Sequence, residues 1–106
     1  MTDAATLIDR YFTLAPQPDA DEYFAQFTDQ AVVEDEGKQR HGIAEIRAWR
    51  TEVPTVSYAV HDIAQTSTGH DARVDIAGDF PGSPVRLTFH FEFTRDGHIS
   101  VLTIRI

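Results

Sequence analysis

The stretch that decides the fold is Ala31-Val32-Val33-Glu34-Asp35-Glu36-Gly37, together with its continuation to Trp49. Two valines lead into three carboxylates and a glycine. A β-branched pair followed by Glu-Gly predicts a strand entering a tight hairpin. The polar run Lys38-Gln39-Arg40-His41 comes next, and Gly42 then opens the amphipathic segment Ile43-Ala44-Glu45-Ile46-Arg47-Ala48-Trp49. This predicts a helix from Ile43 to Glu52, with Ile43, Ile46, Trp49 and Val53 on one face and Pro54 as its stop. Asp35 therefore falls at the end of a strand, beside a turn and a helix start. A carboxylate placed there can stand at the mouth of a pocket.

Upstream, apolar residues at Ala4, Leu7, Ile8, Tyr11, Phe12 and Ala15 repeat with helical spacing, and Pro16 and Pro18 end that pattern. Asp19 stands where an N-cap belongs, with Glu22 three residues on, a capping-box arrangement. Ala20, Tyr23, Phe24, Phe27 and Ala31 form the stripe of a second short helix. The two helices are expected to pair as an antiparallel hairpin across the proline-rich link.

Downstream, the period changes from helix to strand. Val56, Tyr58 and Val60 share one parity before the turn Thr66-Ser67-Thr68-Gly69. Ala72, Val74 and Ile76 alternate with Arg73 and Asp75, and Gly78 to Pro84 reads as a loop. The sharpest alternation sets Val85, Leu87, Phe89, Phe91 and Phe93 against Arg86, Thr88, His90 and Glu92, the mark of a half-buried antiparallel strand. Asp96-Gly97 signals a further hairpin, and the last strand, His98 to Ile106, is apolar on both parities. That strand is either central and covered on both faces or meets a partner subunit.

A chain of 106 residues, 42% hydrophobic and 25% charged, is one globular domain spanning 1–106. The order α-α-β-β-α-β-β-β-β gives an α+β fold: a cone-shaped, curved, largely antiparallel sheet with three helices on its concave face. Three helices do not easily fill such a hollow, so a cavity lined by aromatics is expected, suited to a small apolar ligand. Nine basic against 17 acidic residues leave a net charge of -8, which disfavours nucleic acid and anionic membrane as partners. There is no cysteine, hence no disulfide, thiolate metal site or thiol nucleophile. Neither a signal segment nor a long apolar run is visible, and a cytoplasmic protein is expected.

The element order resembles the nuclear transport factor 2-like superfamily. So do two stretches, Leu7-Ile8-Asp9-Arg10-Tyr11-Phe12 and Phe27-Thr28-Asp29-Gln30-Ala31-Val32-Val33-Glu34-Asp35. Within the superfamily the chain is most similar to the ketosteroid isomerase and SnoaL-like polyketide cyclase branch, most specifically from Val33 to Trp49. The resemblance implies a carboxylate base that moves a proton beside a ketone, and donors that hold the enolate oxygen. In that family these are an aspartate, a tyrosine and a second aspartate kept protonated. The base corresponds to Asp35 and the tyrosine to Tyr11. The second aspartate has no counterpart, because Phe89 occupies its position. Losing one such donor typically costs about 10²–10³ in rate, so a full ketosteroid isomerase is not expected. No cofactor is implied. Parity alone leaves open whether Val33 and Asp35, or Val32 and Glu34, point inward; the resemblance selects Asp35.

Trp49, Tyr58, Phe89, Phe27 and Phe24 are the expected pocket wall. Each also reads as ordinary core, as does Tyr11, and Asp35 as a solvated carboxylate at a turn. His90 and Glu92 share a parity, but no third ligand accompanies them, so no metal is expected. His41 and His61 read as surface residues, and His70 and His98 as turn residues. The mixed-charge outer face of the sheet, with Arg73, Asp75, Arg86, Thr88, His90 and Glu92, is expected to form an isologous homodimer, as the resemblance implies. The chain ends with its last strand, and the pocket is expected to be open-mouthed. Three functions stand as alternatives: proton transfer α to a carbonyl on a hydrophobic substrate, non-catalytic binding of a small apolar ligand, or dimerisation around a collapsed core.

Overall fold

The turn at Glu36-Gly37 sets the first pair of strands. Both residues have positive φ, 54° and 77°, as a two-residue primed hairpin requires. It closes β1 (Phe27–Asp35) onto β2 (Lys38–His41), with Asp35 opposite Lys38. The structure is a computed structural model that describes residues 3–17 and 21–106. The expected cap at Asp19 and the stripe residue Ala20 lie outside the described residues.

Four more strands complete the sheet: β3 (Ser57–Gln65), β4 (His70–Ala77), β5 (Val85–Phe93) and β6 (Ile99–Arg105). Their order is β2-β1-β6-β5-β4-β3, and the β1–β6 pair alone is parallel. The sheet is curved, mixed and unclosed. Apolar residues on both parities of the last strand are thus explained by its central place between β1 and β5. Ile99, Leu102 and Ile104 are buried on it, while Val101 and Thr103 are half-buried.

Three helices cover the inner face. α1 (Ala4–Leu14) begins at Asp3, whose carboxylate accepts from the Thr6 amide at 2.9 Å and satisfies one free donor of the first turn. It buries Leu7, Ile8, Tyr11 and Phe12. α3 (Ile43–Glu52) is fixed to the hairpin at its start, because Gly42 donates to the Ala31 carbonyl at 2.8 Å and His41 donates its amide to the Glu45 carboxylate at 2.9 Å. The core joins these helices to the inward residues of β1, β4, β5 and β6 around Phe91, Val33, Val74 and Leu102.

One expectation is corrected. The second helix is a single turn, α2 (Asp21–Phe24), and Phe27 and Ala31 belong to β1. Both are buried and lie four apart, a spacing that a helix and a strand face share, and pairing with β6 decides for strand. On β3, Val60 keeps the inward side of Tyr58, since they stand opposite Val74 and Ile76, but at the edge of the sheet that side is left uncovered. Val60 is 40% exposed, and the register shifts between Val60 and Asp62 at this sheet edge.

Candidate functional site: an apolar cavity with a carboxylate and an arginine

A cavity of about 320 Å³ lies between α3 and the inner face of the sheet. Its buried wall is Trp49, Arg50, Ile76, Phe89 and Ile104, and Tyr58, Val85, Leu87 and Phe80 narrow it further out. It continues into a groove along Asp35, Glu36, Gly37 and Ile104. Asp35 lines both, so its carboxylate stands where the interior meets the surface. The fold dictates this place, since the last residue of β1 ends beside the turn and α3 crosses behind it.

Trp49 Nε1 donates to Asp35 Oδ2 at 3.1 Å. The indole is 2% exposed and packed, so it is a rigid donor that holds the half-buried carboxylate at the wall. The other carboxylate oxygen has no protein partner among the described residues. A carboxylate held by one oxygen, with the other free, is built to accept a proton or a hydrogen bond from a ligand.

Tyr11 is placed elsewhere. Its hydroxyl pairs with the Tyr23 hydroxyl at 2.8 Å, it is 1% exposed, and it does not line the cavity. Burial pushes both phenols well above their ordinary value. Phe24 and Phe27 lie behind the wall as well, packed around Tyr23. Of the seven residues singled out from sequence, Asp35, Trp49, Tyr58 and Phe89 come together at the cavity, while Tyr11, Phe24 and Phe27 form the aromatic core next to it. Phe89 presents only a ring there, edge-on to Phe12 and Tyr58 and stacked with Phe91.

Arg50 was not among the residues singled out. It is 6% exposed, and its Nη2 donates to the Ala15 carbonyl at 2.9 Å. Its guanidinium carbon lies 4.9 Å from the Tyr23 ring centre and 5.2 Å from that of Trp49. Burial acts against its charge, but the phenols of Tyr23, Tyr11 and Tyr58 outweigh that and raise its hold on the proton. The signal in the sequence was positional: Ile43, Ile46 and Arg50 stand at i, i+3 and i+7, so a cation occupies the apolar face of α3.

On the outer face, His90 contacts the Asp71 carboxylate at 2.6 Å and that of Glu92 at 3.1 Å. Among the described residues no three such side chains gather in a metal-binding arrangement, and no helix is long and apolar enough to cross a membrane.

The SnoaL-like domain family matches residues 8–102 of the chain. Among solved structures, a Sinorhizobium meliloti protein provisionally assigned as a polyketide cyclase is 30% identical, with a TM-score of 0.84 over 94% of each chain. An Exiguobacterium NTF2-like protein of unknown function is 21% identical, with a TM-score of 0.79 over 93% of this chain and 96% of its own. An epoxide hydrolase/cyclase-like enzyme of pyran ring formation in the polyether salinomycin is 18% identical, with a TM-score of 0.74 over 95% of this chain and 88% of its own. These last two likenesses concern the fold. No curated protein matches the chain at a significant level.

Proposed function

Because the chain belongs to the SnoaL-like domain family of the nuclear transport factor 2-like superfamily, we propose that its cavity binds a small, largely apolar carbonyl compound and that Asp35 moves a proton next to that carbonyl. The observation that carries this reading is the Asp35 carboxylate, fixed at the wall by the Trp49 N–H at 3.1 Å with its second oxygen unclaimed. Apolar walls from Phe89, Ile76, Val85 and Leu87 support it by excluding water from the reacting carbon. Tyr11 has no part in the proposed chemistry, since its hydroxyl is spent on Tyr23. Neither does Phe89. The enolate oxygen is therefore held by other groups, or the site only binds.

That second reading has its own support, because neither donor expected from the family faces the cavity as a free neutral hydroxyl or acid. One assay separates the two. A β,γ-unsaturated ketosteroid is followed spectrophotometrically with wild type and Asp35→Asn. Turnover in the wild type that falls by about 10²–10⁴ in the variant, with affinity retained, supports the base. Binding without turnover in both assigns the cavity to ligand carriage.

A further inference from the structure

From Arg50 we infer that the cavity takes an apolar carboxylic acid, with the ligand's carboxylate paired to this guanidinium and its hydrocarbon body along Phe89, Ile76 and Leu87. The inference rests on the reading of the cavity as a ligand site and adds the class of ligand.

Three observations carry it. Arg50 is charged at every accessible pH and 6% exposed, yet no carboxylate among the described residues pairs with it. Its Nε is buried with no hydrogen-bond partner, while Nη2 is satisfied by one backbone carbonyl. It is also part of the cavity lining, where Tyr58 adds a phenol close to the guanidinium. A buried cation without a counter-ion is costly unless something supplies the negative charge. The aromatic faces of Tyr23 and Trp49 offset part of that cost. A planar carboxylate offsets more, because it matches the guanidinium fork.

Charge balance sharpens the point. The molecule carries a net charge of -8, so its long-range field repels anions. The attraction must be local and buried, and therefore insensitive to salt. A neutral ketone would leave Arg50 as it is. An acid of the same size completes it, and its far end reaches toward Asp35, which repels a second carboxylate and so favours a monoacid.

The test is isothermal titration of wild type with 4-phenylbutyrate and with 4-phenylbutyramide, which share shape and differ in charge. The acid is expected to bind at least about tenfold tighter, as charge-assisted hydrogen bonds exceed neutral ones, and the ratio should persist in high salt. In Arg50→Met the ratio should collapse through loss of acid binding alone, with Arg50→Lys between. Arg50 also ties α3 to the end of α1, so circular dichroism checks that each variant folds; if neither does, the wild-type ratio in high salt decides. Equal affinities for acid and amide would overturn the anion subsite and leave the cavity a neutral-ligand site. Binding of neither would overturn both readings together.

Discussion

At the scale of single residues, the site depends on which polar group each buried side chain chooses. Asp35 was legible as a strand-end carboxylate, but its inward orientation needed the family likeness, because alternation allowed Glu34 equally. Tyr11 was legible as a core position, and its partner was not: a hydroxyl's direction depends on what the fold brings near, here Tyr23, twelve residues away. Tyr11→Phe is therefore expected to spare 4-phenylbutyrate affinity and to destabilise the fold by about 1–3 kcal/mol, because the Tyr23 hydroxyl is left buried and unpaired. Urea unfolding and titration calorimetry measure the two effects separately. A loss of affinity would put Tyr11 in the site. The same pair sets an alkaline limit. Both phenols are raised by burial, so their contribution is complete below the unfolded value of about 10 and is lost as pH rises beyond it. Above that pH the unfolded chain releases protons that the folded chain retains, and stability should fall by about 1.4 kcal/mol per pH unit for each phenol. Urea midpoints from pH 9 to 11.5, compared with Tyr11→Phe/Tyr23→Phe, check this: the double variant should lose most of the slope.

At the scale of elements, periodicity was a good guide where the segment was long and a poor one where it was short. The stripes of α1, α3 and β5 dictate those elements, and α3 begins and ends where its glycine and proline place it. The boundary between α2 and β1 is not dictated in this way, since Phe27 and Ala31 fit either period. The turn before β4 hides a packing constraint that no local pattern reveals. A Cβ on Gly69 would run into the Phe91 carbonyl oxygen, so the β3–β4 turn lies directly against the backbone of β5. Backbone cannot step aside as a side-chain tip can. Gly69→Ala is accordingly expected to cost about 1–3 kcal/mol, the range of an overpacked site, despite its place in a turn. Thermal unfolding measures it, and a neutral result would mean that the turn can rise off β5. The cavity lies at the other end of β4, so ligand affinity should change little in the folded fraction.

At the scale of the whole molecule, the two faces of the sheet have separate tasks. The inner face makes core and cavity. The outer face is tiled by cross-strand ion pairs, Asp62 with Arg73, Asp75 with Arg86 and Glu34 with Arg105, and His90 lies between the Asp71 carboxylate on β4 and that of Glu92 on its own strand. Such exposed pairs contribute only about 0–1 kcal/mol each, so they do not explain why this face is so ordered in charge. Register points to a reason. Val32 stands opposite Val101, and Val101 opposite Glu92, so both valines share the outward side of that carboxylate. On the adjacent central strands β1 and β6 they form an apolar patch inside a charged frame. Apolar centre and polar rim are how self-complementary interfaces are built, and a two-fold axis through the valines would set each patch on its copy. We expect a homodimer through this face, and light scattering after gel filtration should give twice the chain mass of 11.9 kDa. Val101→Glu places a charge at the centre of the contact and should yield monomer. Arg73→Ala, on the rim, should leave the dimer intact, because a rim charge affects association rate more than affinity. A wild-type monomer would leave the valines as scattered surface residues. Dissociation by Arg73→Ala as readily as by Val101→Glu would place the interface nearer β4 than β6. The cavity opens on the opposite side of the sheet, so 4-phenylbutyrate affinity should be the same in Val101→Glu as in the wild type.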